Sequence, residues 1–383
     1  MKLAYLTLII TLFTFFSPDH TAAQETSSPV NENACCSPDY KQESSGFKFG
    51  DIEFAGGITS VLQRLSGAND TFAPDGRQTE HSWSFDLELT SPAGRNGNIY
   101  SLFEAGINAG IDDYLPGFSG FNGDANADGH LRTTEIWYEY QRTGNSPHFR
   151  VGKIDLSAAF DTSSFANCEV DQFISPAFVN NPTLEFAPKY NLGAIVWLPF
   201  ANNWELVAGV VDKFSIYELS FKSERSGRKG NYRVYRWFNQ FDHQSLTNPG
   251  VAAASNDGYG LSFDQEITKK LGVFARYGRQ SDEVAEMDKA WSLGMQYTAP
   301  FKNRSNDVIG LAWGQAYFGS PGQAAAALNG ISTDAERHLE AYYNFQASED
   351  FKITPSAQWI KNAAGDRANG EAWVFGLRTQ INF

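Results

Sequence analysis

Residues 371–383, EAWVFGLRTQINF, set Trp373, Phe375, Leu377, Ile381 and the terminal Phe383 on one side, and Val374, Gly376, Arg378, Gln380 and Asn382 on the other. Successive side chains of a β-strand point to opposite faces, so this period of two predicts a strand with one apolar and one mixed-polar face. His81 to Leu89 repeats the rhythm, with Trp83, Phe85, Leu87 and Leu89 opposed to Ser82, Ser84, Asp86 and Glu88. It recurs near 97–109, 132–142, 147–155, 190–200, 203–213, 231–239, 257–268, 271–280, 289–299, 306–318, 336–348 and 350–361, with turn residues between the segments. Taking 48–64 once gives 15 strands. A closed single-chain barrel usually has an even number. One further strand is therefore expected within 48–64 or at 214–222 (FSIYELSFK), for a closed antiparallel barrel of about 16 strands over 47–383.

The start of the chain fits that reading. Lys2 opens an apolar run from Leu3 to Phe16, and Thr21-Ala22-Ala23 follows as a small-residue cleavage site, so residues 1–23 read as a secretory signal peptide. The run is short for a helix crossing about 30 Å of hydrocarbon. Residues 24–46 are polar, punctuated by proline and aperiodic, as in a flexible periplasmic arm. Beyond the leader no stretch approaches the ~18 uninterrupted apolar residues of a membrane helix, and the mean hydropathy is -0.37. Alternating strands in lipid have just such an average, because only every second residue touches the membrane.

The formal net charge of -14 disfavours nucleic acid as a partner. Aromatic residues make up 14% of the chain, and many sit at segment ends: Tyr138, Tyr140, Trp197, Phe200, Trp204, Tyr297, Phe301, Phe318 and Trp359. Girdles at two membrane–water interfaces account for that placement. A final amphipathic strand ending in Phe383 resembles the signal read by the barrel assembly machinery, which points to the outer membrane of a Gram-negative bacterium. Outer-membrane lipid and that machinery are then expected partners, with a monomer and a homotrimer both open.

Several stretches resemble the carbohydrate-selective, OprB-like porins. The strongest is 151–188, VGKIDLSAAFDTSSFANCEVDQFISPAFVNNPTLEFAP, through its pieces VGKID, FDTSSFAN and PAFVNNP. GNYRVYRWF (230–238), GYGLSFDQEI (258–267), VFARYGR (273–279), ITPSAQWI (353–360) and GLRTQINF (376–383) resemble later strands of that family. The resemblance implies a 16-stranded barrel that passes sugars by passive diffusion, with mono- or disaccharides as solutes. Cys168 departs from it, standing where a small polar or acidic residue is expected.

A sugar path needs hydrogen-bonding side chains and flat surfaces, which guanidinium forks and aromatic faces supply. Alternation nominates Arg150, Arg276 and Arg378 for the lumen, with Glu135, Trp137 and Glu139 opposed to Ile136, Tyr138 and Tyr140, and Glu340 and Tyr342 opposed to Leu339 and Tyr343. Lys153 joins them as a neighbour of the longest break in the hairpin rhythm, residues 156–189. Hairpin connections are short, and one this long is functional or disordered. Phe160, Phe165, Phe173, Ile174, Phe178, Val179, Leu184 and Phe186 make it too apolar for disorder, so it is expected to fold inward as a constriction.

Asp124, Asn126, Asp128, Gly129, His130 and Glu135 reproduce the spacing of a calcium loop, with His130 giving its carbonyl and Glu135 the twelfth ligand. A structural calcium is the expectation there, and an Asp/Asn/Gly-rich turn the alternative; no cofactor is required otherwise. Cys35 and Cys36 lack metal spacing, and a disulfide from one of them to Cys168 is expected, with three free thiols as the alternative. No HExxH, nucleophile elbow or phosphate loop is present, so no catalytic residue is nominated and the chain is read as no enzyme. Rivals stay open: a polysaccharide export channel or a mainly structural barrel with a blocked lumen, and a lipid-hydrolysing barrel, which would need a Ser–His pair at its lipid-facing rim.

Overall fold

A computed structural model describes residues 46–383 apart from 69–75, 119, 143–144, 249 and 251. The expected leader, most of the arm, and Cys35 and Cys36 lie outside the described residues. The chain begins with a short strand β1 (Phe47–Phe49), followed by β2 (Ile52–Ser66), β3 (Arg77–Pro92), β4 (Gly97–Ile107), β5 (Arg132–Gln141) and β6 (His148–Ile154). Then come β7 (Asn191–Ala201), β8 (Trp204–Val211), β9 (Phe214–Arg225), β10 (Arg228–Gln244), β11 (Ala252–Glu266) and β12 (Leu271–Gln280). The last five are β13 (Met287–Thr298), β14 (Val308–Phe318), β15 (Glu336–Gln346), β16 (Phe351–Lys361) and β17 (Glu371–Asn382).

Each strand from β2 onward pairs antiparallel with the next, and β17 returns to β2 in the register Leu377↔Leu62 and Ile381↔Ile58, so 16 strands close on themselves. Phe383 N donates to Gly56 O at 3.0 Å and Gly56 N to Phe383 O at 2.9 Å, which fastens the end of the chain to the start of β2. The sixteenth strand is β9, the FSIYELSFK stretch; 48–64 contributes one barrel strand, with β1 folded back on it through Phe47↔Phe54.

Alternation sorts the faces as the sequence predicts. Ile58, Leu62, Leu293, Leu311, Leu377 and Ile381 are exposed outward, while Thr59, Gln63, Ser292, Glu340, Arg378 and Gln380 are buried inward. Both chain ends of the barrel and most of the short turns share one end, and the long connections 108–131, 155–190 and 319–335 share the other. That asymmetry is the one outer-membrane barrels show between periplasmic turns and extracellular loops. Trp197 departs from the girdle expectation: it faces the lumen in the row of Arg150 and Ile195, stacked on His148 with ring centroids 4.5 Å apart. Among the connections, a single-turn helix α1 (Pro176–Val179) and a longer helix α2 (Ser320–Leu328) stand out.

An outward charge in mid-strand should therefore be costly. Leu293→Arg is expected to destabilise the folded barrel by about 2–4 kcal/mol, and Ser292→Ala, one residue away and inward, by much less. Equilibrium urea unfolding in lipid vesicles measures both.

Candidate functional site: the lumen and its two folded loops

Segment 156–189 lies against the inner face of the wall, and the wall holds it chiefly by its backbone. Arg276, fully buried on β12, donates from Nη1 to Phe178 O at 2.7 Å and from Nη2 to Ala166 O at 2.6 Å and Asp161 O at 3.0 Å. Its Nε lies 3.2 Å from the Asp161 carboxylate. On β17, Arg378 donates to Gln172 O at 2.9 Å and to Glu169 O. The Glu340 carboxylate on β15 accepts from Ile174 N at 2.9 Å and Ser175 N at 3.0 Å, and Lys352 on β16 pairs with Asp171 at 2.5 Å. A buried charge is tolerated only when paired and hydrogen-bonded, and an irregular buried backbone has the complementary need. Each satisfies the other here. Phe173 and Phe178 fill the space between, against Phe274 and Tyr342, whose hydroxyl accepts from Gln296 Nε2 at 2.8 Å.

A second connection, 108–131, also folds inward beside the first, and the rings of Phe121 and Phe178 each lie 5.4 Å from that of His338 on β15. Ile111, Leu115 and Phe121 are fully buried against Leu65, Ile360 and Val374 of the wall. Gln63 and Gln358 both donate to Phe121 O, at 3.1 and 2.9 Å. Asp112 accepts from Phe121 N at 2.7 Å and Asn122 N at 2.9 Å; burial outweighs those bonds and lifts its carboxyl to about 6. The two loops clasp each other: Gly123 N donates to Ile174 O at 2.8 Å, and Ser175 Oγ to Gly120 O at 2.8 Å.

Between the loops and the wall of β3 to β6 remains a cavity of about 820 Å³. Its wall side carries Ser84, Asp86, Leu102, Glu104, Thr134 and Glu135, and its loop side Asp124, Asp155, Asn167, Glu169, Asn180, Lys189 and Tyr190. A register shift between Leu102 and Phe103 puts an extra residue in β5, so both Thr134 and Glu135 turn inward. The lining holds seven carboxylates, Asp86, Glu104, Asp124, Asp128, Glu135, Asp155 and Glu169, against Arg132, Lys153 and Lys189, and Asp128 is already paired with Arg132. Burial raises Asp124 to about 7, with Ser84 and Arg378 opposing the shift, and it raises Glu169 to about 8, with a bond to backbone opposing and Asp124 adding to it.

One step further along the same inward row, the Arg150 guanidinium lies 3.8 Å from the centroid of the Trp137 ring and 2.7 Å from Glu139. Tyr100 stacks on Trp137 at 4.6 Å. Gly152 makes room for this group: at φ +150°, a Cβ there would meet Ile136 O at 2.3 Å and Trp137 Cβ at 2.8 Å.

The nominated residues thus separate into two sets. Arg150, Trp137 and Glu139 do come together. Arg276, Arg378, Glu340 and Tyr342 face inward as expected, but they are covered by segment 156–189 and are anchors for it rather than lining of the cavity. Lys153 takes the outward register of Val151 and Ile136 and reaches the cavity rim, donating to Thr133 O at 2.6 Å. The calcium expectation meets residues engaged elsewhere: Asp124 accepts from Ser84 Oγ at 2.9 Å, Asn126 Oδ1 from Asp128 N at 3.1 Å, and Glu135 from Asp155 N at 3.1 Å. Among the described residues no three Asp, Glu, His or Cys side chains, His130 included, are grouped to hold a metal ion. Cys168 is buried and disulfide-bonded. The lumenal role of 108–131 escaped the sequence reading, although Ile111, Leu115, Phe118 and Phe121 carry the same excess of apolar residues that marked 156–189.

Residues 216–383 match the family of carbohydrate-selective porins, OprB family. The match runs from within β9 to Phe383, so the C-terminal part of the chain is similar to that family. It is 23% identical over 306 residues to the putative porin QuiX of Acinetobacter baylyi, covering 66% of this chain and 69% of that one. It is 22% identical over 317 residues to Porin B of Pseudomonas aeruginosa, covering 66% and 68%. Its fold superposes on the high-pH structure of Pseudomonas putida OprB with a TM-score of 0.73 at 16% identity, covering 87% of this chain and 94% of that one. The chain accordingly has the fold of a channel and is an outer-membrane porin for sugars.

The anchoring by Arg276 makes a measurable claim. Arg276→Ala leaves Asp161 buried without its cation, a loss on the order of 3–5 kcal/mol when one partner of a buried pair is removed. The barrel itself should still assemble, while proteolysis within 156–189 becomes faster and single-channel traces noisier than in the parent protein.

Proposed function

We propose that mono- and disaccharides cross this porin through the cavity beside β3 to β6, and that segment 156–189, braced by 108–131, sets the narrowest passage. The observation that carries this reading is the placement of the two loops. They are pinned to the lumen wall by buried charges and, among the described residues, border a cavity of about 820 Å³ beside β3 to β6. Sites for small molecules span about 300–1,000 Å³, so the space suits a solute of that class with its hydration. Carboxylates, amides and hydroxyls along it match a polyhydroxylated solute. Deleting 162–180 in a barrel that still assembles is expected to raise ion conductance and weaken block by added sugar; unchanged values for both would assign the passage to other residues.

The lining also supports a charge preference. Excess carboxylates in a narrow lumen favour cations over anions, since selectivity follows what lines the pore. Asp124 and Glu169 gain charge as pH rises through about 7 and 8. Their contribution is therefore present at alkaline pH and lost as pH falls. Reversal potentials under a salt gradient should show cation selectivity that increases between pH 6 and 9, and Asp124→Asn should flatten the lower part of that rise.

A specific observation bears on the rival enzyme. Ser60 Oγ lies 2.7 Å from His81 Nε2, and both project from the outer face, Ser60 in the row of Ile58 and Leu62. This is the pair a lipid-hydrolysing barrel would need. It lacks the rest: among the described residues no side chain is bonded to the second His81 ring nitrogen, and the neighbouring backbone N–H groups belong to the sheet ladder rather than to an oxyanion site. Diffusion of sugar remains the better-supported reading, and liposome swelling with a panel of mono- and disaccharides tests it.

A further inference from the structure

The turns at the end of the barrel that carries Phe383 are not uniform. Three consecutive hairpins on one arc, joining β9 to β10, β11 to β12 and β13 to β14, contain the stretches 222–229 (KSERSGRK), 266–270 (EITKK) and 299–307 (APFKNRSND). Together they hold eight Lys and Arg against three acids, in a chain whose net charge is -14. The cations are further unbalanced by how the acids are used. Asp307 pairs with Arg304 at 2.7 Å, and Glu266 accepts from Lys229 N at 2.8 Å. Arg225, Arg228, Lys229, Lys269 and Lys302 are exposed and have no acidic side chain within ion-pairing distance among the described residues. The opposite ends of the same strands carry Asp242, Asp282, Glu283 and Glu286, so the arc is polarised along the membrane normal.

The three turns form one rim. Lys229 touches Glu266 as above, Thr298 N donates to Lys270 O at 2.8 Å, and Lys270 Nζ donates to Ala299 O at 3.1 Å. Immediately above it, on the lipid-facing side, run aromatic rings: Phe221 on Tyr232 at 6.2 Å, Tyr232 on Phe263 at 5.8 Å, and exposed Tyr297 and Phe301. Aromatic rings of this kind sit at headgroup level. The cations one turn beyond them are therefore held where lipid phosphates lie.

We propose that this rim, centred on Arg225, Arg228, Lys229, Lys269, Lys270 and Lys302, is a docking surface for the phosphate headgroups of anionic phospholipids in the leaflet facing the periplasm. Each basic residue held at an anionic surface strengthens attachment by roughly five-fold, and the effect fades beyond a Debye length. The aromatic residues anchor the same acyl-chain boundary, which makes a lipid a better fit than a soluble polyanion. The surface would fix the depth and tilt of one side of the barrel.

The test refolds the full chain into phosphatidylcholine vesicles containing either brominated phosphatidylglycerol or brominated phosphatidylcholine, and reads relative lipid binding from quenching of tryptophan fluorescence. The parent protein is expected to prefer phosphatidylglycerol by at least about five-fold at low salt. The quadruple substitution Arg228→Gln, Lys229→Gln, Lys269→Gln and Lys270→Gln should abolish that preference while heat-modifiable migration and channel conductance stay as in the parent. Equal quenching by the two lipids in the parent protein overturns the proposal, as does a preference that survives the four substitutions. Replacing chloride by inorganic phosphate at constant ionic strength should change nothing; loss of the preference in phosphate alone would make the rim a site for soluble anions instead.

Discussion

The pairing of β17 with β2 is the interaction on which the rest depends. In hydrocarbon an unpaired N–H or C=O has no water to turn to, so a sheet can span the membrane only if it has no edge. The terminal stretch that ends at Phe383 supplies the missing neighbour for β2, and Gly56 and Phe383 exchange two backbone bonds at the seam. Once the sheet is closed, every side chain is assigned to lipid or to lumen by parity alone. Apolar residues such as Leu377 and polar residues such as Arg378 can then be adjacent in sequence without conflict.

Closure leaves an interior too wide for side chains to fill. This chain fills it with two of its own connections, and doing so raises a second difficulty, because irregular backbone brought into a partly dry lumen leaves carbonyl and amide groups in need of partners. The wall meets it with charged side chains directed at main-chain atoms: Arg276 at three carbonyls, Arg378 at two, and Glu340 at two amides. Bonds to charged groups are the stronger class of hydrogen bond. The packing of Phe173, Phe178 and Phe121 then fixes the loops side by side against the wall.

Much of this was legible in the chain itself, for a physical reason. Period-two alternation is a local signal, so strand positions, faces and the final strand followed from neighbours in sequence, and β9, one of two candidates for the further strand, shows it in Tyr217, Leu219 and Phe221 against Glu218 and Ser220. Which inward residues meet solute and which meet protein is a long-range property. Arg150 and Arg276 look alike in their own strands; only the path of 156–189 covers one guanidinium with backbone and leaves the other beside Trp137. The bulge that turns both Thr134 and Glu135 inward is likewise set by pairing with β4. The calcium-like spacing shows the converse: Asp124, Asn126 and Asp128 match a pattern, while Ser84, the Asp128 amide and Arg132 take up their oxygens.

The manner in which the wall grips segment 156–189 bears on how such a channel can diversify. Arg276 and Arg378 address mainly carbonyl oxygens, which every residue type possesses, and the segment side chains that the wall also grips, Asp161 by Arg276 and Asp171 by Lys352, are buried. Substitutions on the solute side of the loop can therefore change the width and chemistry of the passage without disturbing its mooring. A single frame of wall residues could in this way serve a succession of differently tuned bores, and libraries built on cavity-lining positions alone, such as Glu169 and Asn180, would explore selectivity with the barrel's folding held constant.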